Sequence, residues 1–153
     1  MSGRSIFGRV RLILRVLAVI FSFLPSILHR WIWELTDLLP NVVGVGLRYA
    51  LAKAKTRAIG DNVYWGRNVT AKNWSNLSIG DNCSIHENCF LDALGEIEIG
   101  SNVSIAHACS LVSFDHVAQP NIPIKIAQYC PEPYLLLTMF GSQRACVSCE
   151  IHR

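Results

Sequence analysis

Five histidines, six cysteines and a few carboxylates carry the chemistry open to this chain. His29, His86, His107, His116 and His152 are the groups able to exchange a proton near neutral pH. His116 closes Phe114-Asp115-His116 ahead of the loop Pro120-Asn121-Ile122-Pro123. Asp115 could orient it or cap the loop. Neighbours on an extended chain point apart, which favours the cap. A second reading of the histidines is zinc, which needs three imidazoles converging. His86, His107 and His116 are the available set. Cys146-x-x-Cys149 with His152 has the form of a fragment of a zinc or redox site, but one short pair is a weak signal.

Any such site must be positioned by what surrounds it, and what surrounds it is a repeat. Ile59-Gly60-Asp61-Asn62-Val63 recurs as Ile79-Gly80-Asp81-Asn82-Cys83 and as Ile99-Gly100-Ser101-Asn102-Val103, 20 residues apart each time. Inside each period runs a six-residue unit. Its first place is large, as in Trp65, Ile85, Leu91, Ile105 and Leu111. Its fifth is small and apolar: Val63, Val69, Cys83, Cys89, Val103 and Cys109. A helix of 3.6 residues per turn cannot keep a period of six. Short strands wound as a coil, three to a turn, can, so the pattern predicts a parallel β-helix whose coils bury their apolar faces on one another. Two residues per period are left over. They extend a corner, with Leu77-Ser78 and Ile97-Glu98 leading into the next coil. Five N-x-S/T sequons, at Asn68, Asn73, Asn76, Asn82 and Asn102, read as turn asparagines of this repeat. Cys83, Cys89 and Cys109 read as reduced, buried small hydrophobes. His86 and His107 fall at exposed turn positions.

The rest of the chain differs in charge. Residues 1–58 carry about +7, and residues 59–153 about −4. The overall +3 gives no reason to invoke nucleic acid. An apolar stretch, Val10 to Leu28, is interrupted by Arg11, Arg15 and Pro25, which argues against a membrane-spanning helix. No small-x-small site follows it, so a cleaved signal is not expected. A second helical segment is expected from Val42 to Ala54. These basic, apolar helices suit either a membrane interface, through residues 1–40, or packing on the rest of the protein or on a sister subunit.

The three hexads, followed by Ser104-Ile105-Ala106-His107, Phe114-Asp115-His116 and the N-x-P loop, resemble the hexapeptide-repeat acyltransferases. The nearest group is the sugar O-acetyltransferases similar to maltose, galactoside and nodulation-factor acetyltransferases. The resemblance runs from about Ile59 to Lys125. It implies a mainly β chain: a left-handed parallel β-helix of about three coils after N-terminal α-helices. It implies a homotrimer with acetyl-CoA in the groove between subunits. It implies His116 as general base and Asp92, at the end of Glu87-Asn88-Cys89-Phe90-Leu91-Asp92, as a contact to a sugar or polysaccharide-precursor acceptor. No metal is expected, and a cytoplasmic location, with or without contact to the inner face of the membrane, suits the CoA donor. The alternative is a non-catalytic or zinc-binding, carbonic-anhydrase-like scaffold. Four segments follow: helices over 1–57, the repeat over 58–118, an excursion loop over 119–133 and an aberrant tail over 134–153.

The tail is aberrant because the resemblance stops at Ile126, where a strand of the type I-I-I-x-D-D-V-W-I should follow. Thr138-Met139-Phe140-Gly141-Ser142, back-translated and read one frame over, allows Asn or Asp, Val, Trp and Ile. A reading-frame shift between about Ile126 and Tyr134 is therefore expected, with a truncated product of weak or no activity. Such a tail should pack poorly, and Cys146, Cys149 and His152 should have no function.

Overall fold

A repeat of twenty in the sequence becomes a register of twenty in space. The computed structural model describes residues 3–116, 129–131, 134–136 and 145–147, with side chains at 8, 10–40 and 42–114. Three helices come first: α1 (Gly3–Ser22), α2 (Ser26–Leu35) and, after a 3₁₀ turn at Thr36–Leu38, α3 (Asn41–Lys55). Pro25 and Pro40 stand immediately before α2 and α3, where a missing N–H costs nothing. Nine short strands follow: β1 (Ala58–Ile59), β2 (Tyr64–Trp65), β3 (Thr70–Lys72), β4 (Leu77–Ile79), β5 (Ser84–Ile85), β6 (Phe90–Asp92), β7 (Ile97–Ile99), β8 (Val103–Ile105) and β9 (Ser110–Val112).

These strands build three parallel sheets that the chain visits in rotation. Strands β1, β4 and β7 form the first sheet, β2, β5 and β8 the second, and β3, β6 and β9 the third. Ile59 pairs with Ile79, Ile79 with Ile99, Trp65 with Ile85 and Leu91 with Leu111. Beyond them, β10 (Phe114–His116) runs antiparallel to β11 (Tyr129–Pro131). In the tail, β12 (Tyr134–Leu136) lies parallel to β7 and β13 (Ala145–Val147) parallel to β8. Cys146 is in β13, whereas Cys149 and His152 lie outside the described residues. The α-helices hold more residues than the strands do, so the chain is a mixed α/β structure and not the mainly β one expected.

The large and small slots of the hexad both point inward. Trp65, Leu77, Ile85, Leu91, Ile97, Ile105 and Leu111 are buried, as are Val63, Val69, Cys83, Cys89, Val103 and Cys109. The three cysteines are free thiols. Cys83 donates to the Gly100 carbonyl at 2.9 Å and Cys89 to that of Ala106 at 3.0 Å, so each thiol also ties its layer to the next. The two surplus residues per period do not sit where expected. Leu77 and Ile97 open strands and are buried, and the extra length is taken up at 73–76, by a 3₁₀ turn, and at 93–96. Layers approach closely at the glycines. A Cβ on Gly80 would lie 2.7 Å from the Gly100 carbonyl carbon and 2.6 Å from the Ser101 nitrogen.

Turns between strands need a left-handed residue, and asparagine supplies it. Asn62, Asn68, Asn73, Asn82, Asn88 and Asn102 all have φ between 54° and 62°. Asparagine tolerates this region because its short side chain can bond locally. Here it also bonds between layers: Asn62 Nδ2 donates to Asn82 Oδ1 at 2.9 Å, and Asn68 Nδ2 to Asn88 Oδ1 at 2.7 Å. Four of the five sequon asparagines are therefore structural turn residues.

The third turn of the second ladder breaks the pattern. Ala108 has φ 57°, at the place where Asn68 and Asn88 stand in the earlier layers. Ala108→Asn is expected to raise the unfolding free energy by about 1 kcal/mol, by relieving the alanine and extending the ladder. Urea denaturation reads this directly. A lower midpoint for the variant would contradict the turn geometry described.

Candidate functional site

The corner between the third sheet and the return to the first gathers the polar groups of interest. Asp92, the last residue of β6, is 7% exposed. A carboxylate is rarely buried without partners. Asn73 Nδ2 donates to its Oδ1 at 2.7 Å, and Lys72 Nζ lies 3.9 Å from its Oδ2. Lys72 also sits over the Phe90 ring, 5.1 Å from its centroid. Asn73 can reach Asp92 because it occupies the left-handed turn that ends the preceding layer.

Ser113 links this corner to the next segment. Its N–H and its hydroxyl both donate to the Asp92 carbonyl, each at 3.1 Å, and its oxygen accepts from Gly95 N–H at 2.9 Å. Ser113 is 2% exposed, and β10 begins one residue later. Register thus brings Asp92 together with the start of the segment that carries His116. The His116 backbone pairs with Tyr129, while its side chain and that of Asp115 lie outside the described residues. Asn73, Lys72 and Ser113 are missing from the expected site. Nothing in the hexad marks them, since they fall in the irregular corner, although the Asp92–Ser113 spacing lies one residue off the period.

The remaining histidines are dispersed. His107 is exposed, and the Ile85–Ile105 register sets it opposite Glu87, whereas His86 falls opposite Ala106. The 21-residue spacing therefore does not stack the two imidazoles. His86 is half-buried and not an open turn residue: its Nε2 lies 3.4 Å from Ser104 Oγ, and its ring is 5.9 Å from Tyr64. The backbone N–H of Glu87, together with the hydrogen bond that Tyr64 donates at 2.9 Å, holds the Glu87 carboxyl below the usual range. Among the described residues no group of three or more His, Cys, Asp and Glu comes together as a metal site.

A cleft of about 550 Å³ opens between α2 and β3 beside this corner. Trp33 and Trp74 line it, with Arg30, Lys55, Lys72 and Asn73 around them. The two indoles meet edge to face, 5.0 Å apart. His29, also in the wall, is 4% exposed, and its Nε2 donates to the Leu51 carbonyl at 3.0 Å. Burial lowers its pKa, against the opposing pull of that hydrogen bond, and Lys55 adds to the lowering. In comparisons with known proteins, no family model, no curated protein and no solved structure matches this chain.

Two outcomes follow from this geometry. Ser113→Ala strands the Gly95 N–H and is expected to cost about 1–3 kcal/mol in a urea titration. An unchanged midpoint would show that Ser113 does not hold the corner. Burial makes His29 harder to protonate in the folded state than in the unfolded one, so the unfolded state binds more protons as pH falls. Stability contributed by neutral His29 is full above its ordinary value of 6.5 and declines below it, towards the lowered folded value. Thermal melts at stepped pH should show a shallower acid decline for His29→Gln than for the parent chain. Parallel curves would remove His29 from the cause.

Proposed function

We propose that residues 59–116 form a left-handed parallel β-helix and that the chain is an acetyl-CoA-dependent O-acetyltransferase. Its acceptor would be a hydroxyl of a sugar or polysaccharide precursor. The observation that carries this reading is the bonding of Ser113 to the Asp92 carbonyl, three residues before His116, within a twenty-residue parallel register. An acceptor held by Asp92 would then lie beside the segment bearing the base.

Roles follow from residue chemistry. Among the described residues one oxygen of Asp92 is engaged by Asn73 and the other by the distant Lys72, which leaves lone pairs for sugar hydroxyl donors. His116 would take the proton of the attacking hydroxyl and return it to the thiolate released as the thioester C–S bond breaks, so no net proton is lost. The thioester of acetyl-CoA would supply the activated acyl carbon. A homotrimer would complete the groove for that donor. The buried thiols Cys83, Cys89 and Cys109 and the CoA donor both suit a reducing, cytosolic compartment. Because the pattern of the resemblance is lost after Ile126, turnover by this chain is expected to be slow.

Purified protein incubated with acetyl-CoA and candidate sugars is expected to release free thiol above the enzyme-free rate, at a trimeric mass by light scattering. His116→Ala should lower that release by about 10²- to 10⁴-fold. Asp92→Ala should raise KM for the acceptor more than it lowers kcat. Thiol release no faster than spontaneous hydrolysis with every acceptor, from protein shown to be folded and full-length, would sink the reading.

A further inference from the structure

The helical segment shows one apolar face too many. Among the described residues fifteen large hydrophobic side chains are exposed, and thirteen of them fall between Leu12 and Val43. In α1 they are not scattered. Leu14, Leu17, Ala18 and Phe21 turn inward, with Leu14 so near α3 that a Cβ on Gly46 would touch it at 3.4 Å. Leu12, Ile13, Val16, Val19 and Ile20 form a second stripe at the same helical spacing, each more than half exposed. Helix α2 repeats the arrangement: His29, Ile32 and Trp33 turn inward, while Ile27, Leu28, Trp31 and Leu35 are exposed. Phe23, between the two helices, is 83% exposed. A water-facing helix ordinarily has a polar outer face. An apolar stripe left exposed along a helix in this way marks a place where something binds.

Charge decides between the two occupants. Residues 1–58 carry about +7, and α1 contains no acidic residue at all. Arg11 and Arg15 are engaged by Asp61, at 2.8 and 3.3 Å, which ties α1 along the body of the protein. Arg4 and Arg9 add to the positive charge of the segment, and Arg30 pairs with the exposed Glu34. Docking two copies through these stripes would bring two strongly positive segments together. An anionic surface would be attracted instead. No described helix is long and apolar enough to cross a membrane. A basic helix with an uncovered apolar stripe and an exposed tryptophan suits the headgroup region, where apolar burial and charge attraction act together.

We propose that α1 and α2 dock this protein on the surface of an anionic lipid bilayer, with the Leu12–Ile20 stripe, Phe23 and Trp31 buried among the acyl chains. The proposal does not rest on acyl transfer. The test is flotation of the full chain with phosphatidylcholine vesicles, with and without phosphatidylglycerol. Binding to the anionic vesicles is expected, weakened in part by 0.5 M salt, which screens surface charge while leaving apolar burial. A triple variant, Ile13→Gln, Val16→Gln and Ile20→Gln, should reduce the partition coefficient by roughly tenfold or more. Phe23→Ser lies outside both helices and should reduce it without altering helix content by circular dichroism. The mass by light scattering should be the same for all three proteins. Failure of the folded parent chain to float with anionic vesicles would overturn the proposal. So would a fall in oligomeric mass caused by the triple variant, which would assign the stripe to a second copy.

Discussion

The constraint on which this structure depends is backbone pairing at a separation of twenty residues. Gly60 N–H meets the Ile79 carbonyl at 2.8 Å, and Gly80 N–H meets that of Ile99 at the same distance. Once layers are held at this spacing, the residue types at each corner follow. Where backbones nearly touch, only glycine leaves room, as at Gly80. Where the chain turns back, φ must be positive, and asparagine provides it at six positions. Where strands meet across the interior there is space for a large side chain at one end of a hexad and a small one at the other. The cysteines fit the second slot because a thiol is small and apolar, and each of Cys83 and Cys89 can still offer its weak donor to a carbonyl above.

A stack of parallel strands ends in unpaired edge groups, which invite other chains. The helices answer that problem on one side. Lys53 Nζ donates to the Ile59 carbonyl, Tyr49 Oη to Gly60, Arg48 Nε to Trp65 and Trp33 Nε1 to Val69, at 2.8 to 3.1 Å. All four carbonyls belong to the first layer, whose strands β1, β2 and β3 are each at the edge of a sheet. Arg48 is 2% exposed and also donates to Thr36 O and Asp37, so its charge is satisfied on both sides. Burial of Tyr49 pushes its phenol up to about 12, which keeps the hydroxyl a donor at any physiological pH. Trp33, Trp65 and Trp74 fill the space between helices and sheets, with Trp65 wholly buried and its Nε1 lacking a partner among the described residues.

How far the sequence discloses this differs by element. Ile59, Ile79 and Ile99 announce strand positions because a parallel register repeats the same environment three times, and repetition is visible in one dimension. Arg48 and Trp33 announce nothing. Each meets a carbonyl that occurs once, 17 or 36 residues away, and no period marks such a contact. The corner that holds Asp92 falls between these cases. Asp92 itself ends a hexad and is readable, but Asn73 belongs to a stretch that absorbs surplus residues and Ser113 follows the last hexad strand, where spacing gives no guide. The same surplus explains the misplacement of Leu77 and Ile97, since a count of residues cannot say on which side of a corner the extra length is spent. For the helices the apolar pattern reads as interface, but which stripe faces inward depends on partners such as Gly46 that no periodicity reveals.

The four donors that close the first layer also set an order of events. Residues 33, 48, 49 and 53 all precede the carbonyls they meet, so a chain leaving the ribosome has its template before the first strand emerges. Each later strand then needs a partner only twenty residues behind it, a loop short enough that closure costs little entropy. Growth runs away from the helices, because their side chains already meet the first-layer carbonyls. A chain built in this manner can be interrupted at many points and still leave a folded base, with the loss confined to the layers not yet laid down.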